Sequence, residues 1–168
     1  METPLEHILM TFFKEDMISF LNSHPEYFKE AIELAVSDKQ PLSWRAAWLL
    51  HSCTKKNDNR IKNHVKSIIK TLPTKKDGHQ RELIKILFIM ELKEEDEGVL
   101  FDICVTLWEN VSKRPSVRYT AMMFILKIAE KYPDLTQEII LLLQDQYLET
   151  LSPGIRYSIY RMKKGLGK

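Results

Sequence analysis

An all-α fold is what this sequence predicts, in the form of an α-α superhelix (solenoid) of about four helical pairs behind an N-terminal helical segment. Three observations predict it. Apolar residues recur at helical spacing with no period-two alternation, prolines cut the chain into helix-length segments, and an arginine returns at a nearly fixed interval.

The segments follow in order. An N-terminal helical stretch covers about 4–22, and helices are expected over 26–37 and 43–56. Over 58–72 a stripe of Ile61, Val65, Ile68, Ile69 and Leu72 lies apart from Lys62, Lys66 and Lys70, which describes a half-buried helix. Over 79–92, Leu83, Ile86, Leu87 and Met90 fall at i, i+3, i+4 and i+7. Over 98–111 the pattern returns in Leu100, Ile103, Cys104, Leu107 and Val111. Helices over 116–132, 135–151 and 154–164 complete the set, with Asp58, Ser116 and Ser152 as N-cap or opening residues.

Composition bounds the function classes. The chain has 168 residues, 44% of them hydrophobic and 29% charged, which is ordinary for a globular protein and unlike a disordered one. Cys53 and Cys104 are too few for a disulfide scaffold or a cysteine zinc site, so both read as core thiols in a reducing compartment. The start Met1-Glu2-Thr3-Pro4 is acidic where a secretion signal is basic, and a cytoplasmic location is expected. No stretch is long and apolar enough to predict a membrane span.

The arginines keep the beat. Arg45, Arg81, Arg118 and Arg156 are 36, 37 and 38 residues apart, and three residues after them stand the apolar Trp48, Ile84, Ala121 and Ile159. Pro41, Pro115 and Pro153 precede three of the four, where the turn into a second helix should fall, and Gly78 takes that place in the remaining unit. The predicted pairs are therefore about 25–56, 58–92, 94–132 and 134–164, within one domain over 1–168.

Pro115-Ser116-Val117-Arg118-Tyr119-Thr120-Ala121 resembles the signature that opens the second helix of a HEAT repeat. Ser43-Trp44-Arg45-Ala46-Ala47 and Pro153-Gly154-Ile155-Arg156-Tyr157 resemble it in part, and the likeness spans about 25–164. The resemblance implies HEAT-like helical pairs and a scaffold that binds proteins. It also implies first helices on a convex side, second helices on a concave side, and an arginine that commonly pairs with an acid in the inter-helix turn. Asp38 would serve Arg45 and Asp77 would serve Arg81, whereas Arg118 and Arg156 have Arg114 and Ser152 at that offset. Those two guanidinium forks are as open to a ligand carboxylate or phosphate as to a structural role.

Charge divides between the two sets of helices. First helices over 26–37, 58–72, 94–112 and 134–151 total −9, and second helices over 43–56, 79–92, 116–131 and 154–168 total +10, although the whole chain carries only +2. A groove of one sign attracts the other, so the expected partner is a protein with an acidic surface, bound on a basic concave face. The candidate binding residues are Arg45, Arg118, Arg156, Tyr157, Tyr160 and Arg161. Trp44 and Trp48, four residues apart on one helical face, read as core packing.

A nucleic-acid partner is the alternative. Ile128-Ala129-Glu130-Lys131-Tyr132-Pro133-Asp134-Leu135, followed by Leu151-Ser152-Pro153 and Arg156, is similar to the last units of HEAT-like DNA alkylation repair proteins over about 45 residues. That family's groove aspartate has no counterpart in the second-helix segments. No catalytic constellation is expected elsewhere. His7, His24, His51, His64 and His79 form no metal-binding pair, the glycines form no phosphate loop, and Glu94-Glu95-Asp96-Glu97 suits a helix N-terminus better than calcium. No cofactor or metal is expected.

Overall fold

The computed structural model describes residues 2–166, and all regular structure among them is helical. The chain falls into two compact units, Met1–Asp96 and Glu97–Lys168.

The first unit opens with α1 (Pro4–Thr11), α2 (Lys14–Ser23), α3 (Phe28–Val36) and α4 (Leu42–Cys53). At α1 the Thr3 hydroxyl accepts from the Glu6 amide, the Glu6 carboxylate accepts from the Thr3 amide, and Pro4 sits where no amide is needed. The expected single stretch over 4–22 is interrupted, because Phe12 and Phe13 are both extended. The Phe12 carbonyl, released from the helix ladder, accepts from Arg45 Nη2 at 3.4 Å.

Helix α4 lies against both α3 and α7 (Asp77–Phe88). Ala46, Ala47, Leu49 and Leu50 are all fully buried, and the two alanines let neighbouring backbones approach closely. Facing them are Phe28, Ala31, Ile32 and Ala35 of α3 and Leu83, Ile84, Ile86 and Leu87 of α7.

The helix expected over 58–72 is split into α5 (Asn59–Lys62) and α6 (Val65–Thr71). Asp58 caps α5 as expected. The chain then tightens where the His64 amide donates three residues back to Ile61 at 2.8 Å, instead of four. Asn57 takes a left-handed conformation, φ 53°. Its amide donates to Ile89 at 2.9 Å and its side chain to Glu91 at 3.0 Å, tying the turn after α4 to the turn after α7.

Helix α8 (Glu94–Glu109) begins just before the second unit, which continues with α9 (Pro115–Lys131), α10 (Thr136–Leu141), α11 (Asp145–Leu148) and α12 (Pro153–Lys163). Leu100, Cys104, Leu107 and Trp108 of α8 are buried, as are Val117, Ala121, Met122, Phe124 and Ile125 of α9. Val111, expected on the apolar stripe, lies beyond the end of α8 and is exposed. Ser152 caps α12, whereas Ser116 is inside α9, whose N-cap is Arg114 with Pro115 behind it.

The helix expected over 135–151 is also broken, and the cause is polar. Trp108 Nε1 donates to the Leu142 carbonyl at 2.7 Å, and Gln144 is extended before α11 resumes. A carbonyl engaged by an indole is no longer needed by the helix ladder. Tyr119 bonds Ser158 at 2.9 Å between α9 and α12, while Lys131 and Tyr132 both donate to Glu97 of α8.

Both cysteines are free and buried, and burial raises the pKa of each thiol. No helix among the described residues is long and apolar enough to cross a membrane.

Candidate binding surfaces

The four arginines of the sequence column occupy four different environments. Arg118 is fully buried. Its Nε donates to the Trp108 carbonyl at 2.9 Å, Nη2 to the Tyr147 carbonyl at 2.6 Å and Nη1 to Thr150 Oγ1 at 2.8 Å. The guanidinium also lies 4.8 Å from the centre of the Trp108 ring. Burial lowers its pKa, but a guanidinium remains charged at any neutral pH. The expectation that Arg118 binds a ligand does not fit this geometry: its fork is spent on a carbonyl near the end of α8, and on a carbonyl and a hydroxyl of the broken helix of the fourth pair.

Arg81 directs Nε and Nη2 to Glu82 at 2.9 and 2.7 Å. Glu82 is fully buried and also receives Lys85 at 2.8 Å. Burial raises the Glu82 pKa, and the hydrogen bonds from Lys85 and Arg81 outweigh it, so the carboxyl stays ionised. Arg45 is half-buried, braces the Phe12 carbonyl through Nη2, and has its Nε enclosed without a hydrogen-bond partner. Asp38, the expected partner of Arg45, instead bonds Lys75, whose ammonium also donates to the Ser37 carbonyl at 2.8 Å. That contact holds the Asp38 carboxyl below its ordinary pKa.

Arg156 is half-buried on α12 and joins Tyr157 and Tyr160 around a hollow of about 550 Å³. Tyr157 is 67% exposed and Tyr160 48%, and Arg161 follows on the same helix, also exposed. Asp145 and Glu149, at the two ends of α11, complete the polar lining. The structure thus brings together Arg156, Tyr157 and Tyr160, with Arg161 beside them. Arg118 lies inside the same unit, and Arg45 belongs to the first unit.

The cationic count of the second helices is partly spent internally. Arg81 and Lys85 are held by Glu82, Lys131 by Glu97 at 2.7 Å, and Arg118 by carbonyls. Lys55 and Lys56 lie past the end of α4, and Lys168 lies outside the described residues. Among the described residues, Arg156 and Arg161 have no ion-pair partner, which makes them the most available charges of the predicted set.

A second surface lies in the first unit, around Arg45 of the predicted binding set. Phe12, Phe13, Lys14 and Met17 from the α1–α2 elbow meet Trp44, Arg45, Trp48 and Arg81 around a cleft of about 220 Å³. Phe13 is 84% exposed, and Phe12 and Trp44 are exposed as well. Trp44, expected in the core, is therefore a surface residue; Trp48 is half-buried, with Lys14 Nζ 5.4 Å from its ring centre. Arg45 belongs to the predicted binding set; for the rest of the cleft the sequence signal is the adjacent pair Phe12-Phe13 ahead of a charged helix start.

Among the described residues no group of three or more His, Cys, Asp or Glu side chains is arranged to hold a metal ion. The family model described as HEAT repeat domain matches residues 4–166. No curated protein and no solved structure matches the chain. HEAT repeats commonly serve as protein-interaction scaffolds and are typically non-catalytic. The match covers nearly the whole sequence and agrees with an all-α chain of paired helices carrying the recurrent arginine. The chain belongs to the HEAT repeat domain family.

Proposed function

We propose that this protein is a non-catalytic interaction module that binds an acidic surface of a partner protein through α12. One observation carries the reading: two exposed tyrosines stand beside Arg156 and Arg161, cations without an ion-pair partner among the described residues. Tyrosine and arginine are the side chains that most often dominate binding energy at protein interfaces. The carboxylates of Asp145 and Glu149 add direction, because an acidic group is drawn to the α12 side of the hollow and repelled from the α11 side. A cytoplasmic setting is consistent with two free, buried thiols.

Affinity capture with the wild type and with the Arg156→Glu/Arg161→Glu double variant tests the reading. The expected result is an acidic protein retained by the wild type, released by added salt and absent from the variant. The nucleic-acid alternative, which the likeness to DNA alkylation repair proteins brought in, predicts something else. A single-stranded oligonucleotide would bind with a steep salt slope, and no captured protein would depend on Arg156 and Arg161.

A further inference from the structure

We propose that the cleft between the α1–α2 elbow and helices α4 and α7 is a second binding site. Its occupant is an extended peptide segment of another protein that presents a bulky apolar side chain next to an Asp or Glu. The site lies in the first unit, apart from α12, and stands independently of the function proposed above.

The argument begins with the backbone. Phe12 and Phe13 are consecutive extended residues joining two helices, a conformation that carries their side chains away from both helix axes. An exposed Phe forgoes the stabilisation that burial would give it. Here two such rings stand next to exposed Trp44, with Met17 completing an apolar wall. A cleft of about 220 Å³ is smaller than the usual small-molecule pocket of roughly 300–1,000 Å³, and its size suits one large side chain.

Charge selects the neighbour of that side chain. The lining includes Lys14, Arg45 and Arg81 and no carboxylate. Arg81 already has Glu82, so Lys14 and Arg45 are the cations left to a ligand. Arg45 supplies the sharper clue: its Nε–H is enclosed without an acceptor, while Nη2 holds the Phe12 carbonyl. A buried donor without a partner is a standing cost, removed when an acceptor arrives. A carboxylate is planar and takes two guanidinium donors at once, which suits the Arg45 fork lining the cleft, and a shift of that side chain on binding would give the enclosed Nε–H its acceptor. A phosphodiester chain needs a basic track along its length, and this compact cleft offers three cations, one of them already held by Glu82.

The test uses the built-in tryptophans. Trp44 and Trp48 line the cleft, and the third tryptophan, Trp108, is buried in the other unit as a constant background. The probe is the blocked peptide acetyl-Ser-Leu-Phe-Glu-Ser-amide, titrated against the full chain by tryptophan emission and by calorimetry. Saturable binding is expected, weakened at least tenfold when the peptide's Phe becomes Ala or its Glu becomes Gln. Phe13→Ser, which changes an exposed residue, should weaken it to a similar extent with the melting temperature unchanged. Arg45→Gln should abolish selectivity for the peptide Glu, and Tyr157→Ser/Tyr160→Ser should leave the titration unaltered.

The proposal is overturned if none of the peptides binds up to its solubility limit, or if all bind alike. Binding to the Phe13→Ser variant at wild-type strength would overturn it too. So would a preference for a thymidine decamer over the peptide, or an emission change that follows protein concentration alone and so marks a second copy as the occupant.

Discussion

Replacing Arg118 with Ala should cost about 3–5 kcal/mol and leave partner binding through α12 to the extent that folding survives. The figure follows from the contacts. A hydrogen bond involving a charged group contributes about 1.5–3 kcal/mol, so the bonds to the Trp108 carbonyl, the Tyr147 carbonyl and Thr150 amount to roughly 4.5–9 kcal/mol gross. Against this stands the desolvation of a guanidinium with no carboxylate among its hydrogen-bond partners, several kcal/mol that the substitution gives back. The deletion also strands the buried Trp108 carbonyl and the partly buried Tyr147 carbonyl, and leaves a void in a close-packed interior.

Because the chain has two compact units, the measurement should follow the second one alone. In a Trp44→Phe/Trp48→Phe background the emission of Trp108 does so, and urea unfolding of that protein with and without Arg118→Ala gives the difference. Arg118→Lys should recover only part of the loss, since one ammonium cannot reach three separated acceptors in the fork's geometry. A destabilisation under about 0.5 kcal/mol, or full recovery with Lys, would refute the claim that this arginine holds the second unit together.

Other expectations follow from buried groups. His79 bonds the Ala35 carbonyl through Nε2 at 2.7 Å and Gln40 Nε2 through Nδ1 at 3.2 Å, so the ring is neutral with its proton on Nε2. Burial first, and then the charge of Lys75, hold its pKa below the ordinary histidine value despite the bond to Ala35 and the nearby Asp38. Its stabilising contribution is therefore complete above about pH 6.5 and lost as pH falls through that value toward the folded pKa. His51 is shifted in the same direction by burial, so the comparison of wild type with His79→Gln in chemical unfolding between pH 8 and pH 5, about three units, isolates the His79 slope. Asn57→Ala should lose about 1 kcal/mol or more of stability in urea, while Asn57→Gly should keep the left-handed turn and lose only the two side-chain bonds to Glu91. With a thiol reagent under native conditions Cys53 should react before Cys104, which is completely enclosed; equal rates for the two would contradict their burial.

The helices and their beat were legible because both follow from local spacing. Leu83, Ile86, Leu87 and Met90 needed only a period, and all four are buried. The breaks were not legible, because their partners come from afar. Leu142 leaves its helix for the Trp108 indole, 34 residues earlier, and nothing in 139–145 announces it. Arg118 has no acid at the local offset, and its acceptors are two carbonyls, which every residue possesses, and the hydroxyl of Thr150, 32 residues on. The elbow at Phe12 and Phe13 carries no Gly or Pro, so the ordinary break signals were silent there. Of the predicted binding set, Arg156, Tyr157 and Tyr160 do converge, since three positions on one short helix are bound to be neighbours.

Four arginines at matching positions do four jobs: one steadies an elbow, one sits on a buried acid, one is sealed inside, and one meets solvent. Averaging the repeats into a consensus and copying it would preserve the rhythm while erasing this division of labour. In this protein the individuality of each repeat resides less in which residue occupies the column than in where the surrounding chain chooses to stop being a helix.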